Sequence, residues 1–116
     1  MNSNTKAVIA YIVAKIITGT TATEIYDYTK SEFIRFTGEV SIQRVDIYDI
    51  DRKCLISGNI SHIYDFGRTA FTSLKIDGNK FEGYDYGDKQ FYRGGVKGEN
   101  ISIYDFDESA YSEYTI

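Results

Sequence analysis

Residues 102–114 read SIYDFDESAYSEY, and four earlier stretches repeat the pattern: EIYDYTKSEFIRF at 24–36, DIYDIDRKCLISG at 46–58, HIYDFGRTAFTSL at 62–74 and GYDYGDKQFYRGG at 83–95. The copies align on Tyr26, Tyr48, Tyr64, Tyr84 and Tyr104, each followed by an aspartate: Asp27, Asp49, Asp65, Asp85 and Asp105. Two residues after each tyrosine comes Tyr28, Ile50, Phe66, Tyr86 or Phe106, and seven after it Phe33, Leu55, Phe71, Phe91 or Tyr111. Mostly small or polar residues lie between, as in TKSE, GRTA, GDKQ and DESA. Two large apolar residues flanking a short polar loop, with strand-favouring residues on both arms, are the signature of a β-hairpin.

Pairing Phe106 with Tyr111 across the loop sets a register. It places Tyr104 opposite Glu113, Ile103 opposite Tyr114 and Ile101 opposite Ile116. In the other copies it sets Ile25 opposite Phe36, Val45 opposite Ile60, Ile63 opposite Leu74 and Phe81 opposite Val96. One face then collects apolar side chains at period two. The other collects Tyr26–Arg35, Tyr84–Arg93, Tyr48–Ser57 and Tyr64–Ser73. That division suits an antiparallel sheet with one buried face.

Glycines in IDGNK, VKGEN and ISGNI supply the positive φ angles of a second, tighter turn. ITGTT and FTGEV look like its equivalents in the first two copies. The expectation is an all-β antiparallel meander of about eleven strands, built from five Tyr-Asp hairpin repeats of about twenty residues and forming one domain over 1–116. Its accumulated twist calls for a closed barrel or a two-sheet sandwich. A β-solenoid is the alternative, because its coils also repeat near this length. The tyrosines are 22, 16, 20 and 20 residues apart. Even spacings let hairpins vary in length without changing which face is buried, whereas a solenoid stacks equal coils, so the meander is preferred. The chain contains no proline, which suits well-paired strands.

The segment KAVIAYIVAKIITGTTA has an apolar run over Ala7–Ala14, too short to cross a bilayer and followed by Lys15. Its branched residues read as a further strand. Barrel closure then pairs Tyr11–Ile17 with Tyr111–Ile116.

Composition narrows the function classes. The single cysteine, Cys54, rules out an internal disulfide framework and a multi-thiolate zinc site. It fits a reducing compartment, so the expected location is cytoplasmic, with secretion left open. Net charge is −4 and the basic residues are scattered, which argues against nucleic acid. The only histidine, His62, falls opposite Lys75, a poor orienter for a catalytic triad. GGVKGEN at 94–100 lies between strands rather than before a helix and lacks the setting of a phosphate loop. No cofactor, metal or membrane partner is expected.

Two readings of Tyr-Asp follow. In the first, each carboxylate accepts hydrogen bonds from loop amides and the flanking residues clasp across the hairpin. In the second, all five loops project from one end, so the aspartates gather at a rim with Asp51, Asp88, Asp107 and Glu108. Calcium ligation there lacks the spacing of a dedicated loop. Tyrosine beside arginine on a solvated sheet is also a recognition surface. The sequence therefore suggests a non-enzymatic binding or protein-interaction module contacting through Tyr26, Arg35, Tyr84, Arg93 and Tyr104. A protein partner, a second copy meeting this aromatic face or an open strand edge, or a carbohydrate would suit it. The alternative is a small carbohydrate-active or hydrolytic domain using rim aspartates, chiefly Asp85 and Asp105.

Overall fold

A computed structural model describes residues 1–116. It consists of one helix, α1 (Ser3–Thr18), and ten strands: β1 (Glu24–Asp27), β2 (Glu32–Val40), β3 (Val45–Asp49), β4 (Cys54–Asn59), β5 (His62–Asp65), β6 (Ala70–Asp77), β7 (Lys80–Asp85), β8 (Gln90–Lys97), β9 (Asn100–Asp105) and β10 (Ala110–Thr115). Each strand pairs antiparallel with its chain neighbours, and β1 closes on β10 through Tyr26↔Thr115 and Asp27↔Tyr114. The meander is therefore a closed barrel; neither the solenoid nor the sandwich forms. The molecule measures 30 × 29 × 28 Å.

The N-terminal segment corrects the expectation of an eleventh strand. It is a helix, and it lies inside the barrel. Every residue from Thr5 to Ala14 is buried, with Ile9, Ala10, Ile12, Val13 and Ala14 at 0 % exposure. A helix apolar on all sides has no solvent face and must be enclosed. A ten-stranded wall is wider than side chains alone conveniently fill, and the helix supplies the missing core. Asn2 caps the helix by accepting from the Asn4 amide at 2.8 Å, and Gly19 ends it at φ 68° while donating to the Lys15 carbonyl. ITGTT is thus a helix terminus rather than a hairpin turn. Closure falls instead to β1, which follows the helix.

α1 lies nearest β1, β9 and β2, then β8 and β10. On the other side, Ile47, Ile56, Ile63, Leu74, Phe81 and Tyr92 help fill the barrel, and one apolar cluster takes in the helix and all ten strands. Tyr11 stacks on Phe36 with ring centroids 4.5 Å apart.

The hairpin register also differs from expectation. Asp105 pairs with Ala110, so the loop is residues 106–109 and Tyr104 faces Tyr111 rather than Glu113. The same offset holds elsewhere: Ile25↔Ile34, Val45↔Gly58, Ile63↔Thr72 and Phe81↔Gly94. The fourth residue of each loop closes it in the left-handed region: Ser31, Lys53, Thr69, Lys89 and Ser109, at φ 52–56°. Because the partner shifts by two residues, the division into inner and outer faces survives. Tyr26 thus faces Phe33 and Tyr84 faces Phe91, while Arg35 faces Glu24 and Arg93 faces Glu82. Tyr48 faces Leu55, and Tyr64 faces Phe71.

At the opposite end, Gly78 and Gly98 open two-residue turns at φ 60° and 61°, as the sequence suggests. Gly38 of FTGEV does not. It lies within β2 at φ 112°, where a Cβ would come 2.1 Å from the Asp46 carbonyl oxygen, and Gly58 of ISGNI likewise lies within β4 at φ 129°, one residue short of the strand end, so the turn there is residues 60–61.

Candidate functional site

The Tyr-Asp loops all emerge at one end of the barrel, around the start of α1. Each aspartate is the last paired residue of its strand and points inward. Asp27, Asp49, Asp65, Asp85 and Asp105 are 0–6 % exposed. The carboxylates accept from amides two and, in four copies, three residues on: Thr29 and Lys30, Asp51 and Arg52, Gly67 and Arg68, Gly87, and Asp107 and Glu108. Loop donors that no ladder reaches are thereby satisfied.

Cations tie these corners together. Arg52 donates to Asp49 at 2.7 Å and forks onto Asp65 at 2.9 and 3.1 Å. Burial opposes its charge, but the two carboxylates more than compensate and raise its pKa. Arg68 reaches both Asp85 oxygens at 3.2 Å and also donates to the Thr5 hydroxyl of α1. Asp105 receives the Met1 ammonium at 2.7 Å, with Lys6 at 3.7 Å. Burial pushes the Asp105 carboxyl up, yet the ammonium and the Asp107 and Glu108 amides hold it below the ordinary range. The acidic rim also complements the positive end of the helix dipole.

This arrangement fastens the helix to the wall. No buried side-chain polar atom lacks a partner, and no group of three or more His, Cys, Asp or Glu side chains converges as metal ligands would. His62 faces Asn59 rather than Lys75, with its ring edge-on to Phe71 at 6.3 Å.

Outside the same end runs an aromatic collar. In four copies the repeat tyrosine is half-buried between its two flanking rings in edge-to-face contact. Tyr26 lies 5.0 Å from Tyr28 and Phe33, Tyr64 4.7 and 4.6 Å from Phe66 and Phe71, Tyr84 4.8 and 4.7 Å from Tyr86 and Phe91, and Tyr104 4.9 Å from Phe106 and Tyr111. The expected clasp is thus three-membered, with the tyrosine in the middle. Tyr48 replaces the rings with Ile50 and Leu55. The flanking residues, unlike the tyrosines they cover, are mostly exposed, from Phe71 at 45 % to Phe91 at 66 %.

Of the five contact residues read from the sequence, Tyr84, Arg93 and Tyr104 come together on neighbouring strands. Arg93 faces Tyr104 across β8–β9, and its guanidinium lies 5.7 Å from that ring and 5.4 Å from Phe106. Tyr26 and Arg35 belong to another sector, where Arg35 lies 3.5 Å from Asp51. A groove of about 800 Å³ runs beside Arg93, over β6–β8, from Ile42 and Ile60 in the far turns to Phe91 and Phe106 in the collar. Sequence reasoning missed this groove and the bridging role of Arg52 and Arg68. The shared position of those arginines, four residues after the repeat tyrosine, was the available signal.

No protein-family model, curated protein or solved structure matches this chain.

Proposed function

We propose that the protein is a non-catalytic interaction module whose working surface is the aromatic collar, centred on Tyr84, Arg93 and Tyr104. The observation that carries this reading is the exposure of two side chains from every repeat, ten in all, at 37–66 %. Apolar side chains arranged regularly on an outer wall are available for a partner.

Two further features support it. The barrel interior is taken up by α1, which leaves the outer surface as the place for function. Asp85 and Asp105, the carboxylates of the hydrolytic alternative, are both 0 % exposed and engaged by Arg68 and the terminal ammonium. A glycosidase pair must instead reach a substrate. A membrane-spanning role is disfavoured because outward positions carry Arg35, Lys75, Glu82 and Arg93. Each basic side chain at mid-bilayer would cost about 2–4 kcal/mol on a barrel's lipid face. No helix is long and apolar enough to cross a membrane.

The test places a photo-crosslinking amino acid at Phe91 and, as a control, at Lys97, in cells producing the intact chain. The reading predicts a discrete adduct from position 91 that is lost with Tyr84→Ala/Arg93→Ala. No adduct, or identical adducts from both positions, would contradict it.

A further inference from the structure

Three outward residues form a cross-strand row over the groove: Lys75 of β6, Glu82 of β7 and Arg93 of β8. All three are exposed, and none makes an ion pair within 4.0 Å. The groove they line has apolar ends at Ile42, Ile60 and Phe106.

We propose, building on the interaction reading above, that this groove binds an extended segment of a partner protein that combines apolar side chains with a carboxylate seated on Arg93. The Arg93 guanidinium packs over the Tyr104 and Phe106 rings, 5.7 and 5.4 Å from their centroids, and has no carboxylate partner within 4.0 Å. A planar fork held this way suits a carboxylate. Lys75 adds a second positive charge two strands away, about 9–10 Å at ordinary strand spacing. Glu82 stands between them, so the row carries a net single positive charge. That favours a carboxylate over a doubly charged phosphate, which Glu82 would repel.

The form of the groove selects an extended segment. It lies along the outer wall and reaches from the far turns to the collar, whereas small-molecule sites are concave and enclose most of their ligand. The wider surface adds specificity. With 17 acidic against 13 basic residues, the chain repels an acidic segment elsewhere and favours this sector.

The experiment is selection of a random-peptide phage library on the intact protein, followed by affinity measurement with a synthetic enriched peptide. The proposal predicts enrichment of sequences that place Asp or Glu beside aromatic or branched apolar residues. Lys75→Glu/Arg93→Glu should weaken the enriched peptide by about tenfold or more, equivalent to about 1.4 kcal/mol, and repeated selection on that variant should yield basic sequences. Arg93→Gln should weaken binding without reversing the preference. Lys97→Glu, outside the groove, should leave affinity within about twofold on the same scale. Unchanged thermal melting of the variants separates lost binding from lost folding. Enrichment without acidic residues, no enrichment, or equal weakening by Lys97→Glu would overturn the proposal. Failure of the peptide selection while the position-91 adduct persists would overturn this proposal alone, whereas absence of that adduct would overturn the interaction reading on which it rests.

Discussion

Tyr92 of β8 lies across Gly83 of β7, and its hydroxyl donates to the Ser73 carbonyl of β6 at 2.7 Å. Two residues along the same strand pair the roles reverse, and the Phe81 ring covers Gly94. A Cβ on Gly83 would sit 2.0 Å from the Ser73 oxygen and 2.4 Å from the Tyr92 hydroxyl. Gly83→Ala should therefore destabilise the barrel by about 1–3 kcal/mol, the usual range for overpacking. Tyr92→Phe keeps the ring but loses the hydrogen bond, at about 1 kcal/mol. Urea midpoints test both; a neutral Gly83→Ala would contradict the close approach.

Arg52 is the only cation paired with both Asp49 and Asp65. Arg52→Met leaves two buried carboxylates without a counter-charge. The loss should fall toward the lower end of about 3–5 kcal/mol, because the arginine side chain keeps 18 % exposure. Arg52→Lys should recover part of it, since an ammonium cannot reproduce the fork. Equilibrium unfolding checks the order wild type, Lys, Met.

Asp105 makes stability depend on acid. Its folded pKa lies below the ordinary value of 3.8. The resulting stabilisation is present above that ordinary value and disappears as pH falls through the lower folded one. Asp105→Asn should be less stable at neutral pH and should lose less stability on acidification. Parallel losses in the two proteins would contradict the assignment.

At alkaline pH the sign reverses. Burial raises the pKa of Tyr11, Tyr92 and Tyr114 above 10.0, helped at Tyr92 by the Asp85 charge and at Tyr114 by that of Asp27. Their contribution to stability is complete below about pH 10 and fades as pH rises toward the folded values. Phenolate absorbance should include a late component that appears together with loss of circular dichroism. Full tyrosine ionisation in a still-folded protein would contradict it.

The five Tyr-Asp hairpins, the alternation of faces and the antiparallel meander were legible because period-two patterning recurs five times; the same pattern suits a barrel and a two-sheet sandwich equally, so closure was not. Nor was the register. Asp105 ends its strand by turning inward to the 107 and 108 amides, and no side-chain pattern distinguishes that from a loop one residue later. The helix escaped for a different reason. Val8, Ile9, Ile12, Val13 and Ile16 favour strands, and enclosure on all sides removes the amphipathic period that marks a surface helix. The legible signals were the caps, Asn2 and Gly19, and an apolar stretch longer than a strand needs. The groove arises from residues on three strands, β6–β8, and three connecting segments, a juxtaposition set by the curl of the meander rather than by the repeat pattern.

Enclosure of α1 within the barrel is the feature that leaves function to the outer wall. Native-state hydrogen exchange of residues 7–14, read with nuclear Overhauser contacts between Tyr11 and Phe36, tests this most directly. The structure predicts amides that exchange only through global unfolding, as slowly as those of β8 and β9, and a clear contact between the two rings. Fast exchange across residues 7–14, with no contact between Tyr11 and Phe36, would place the helix outside the barrel and contradict the account.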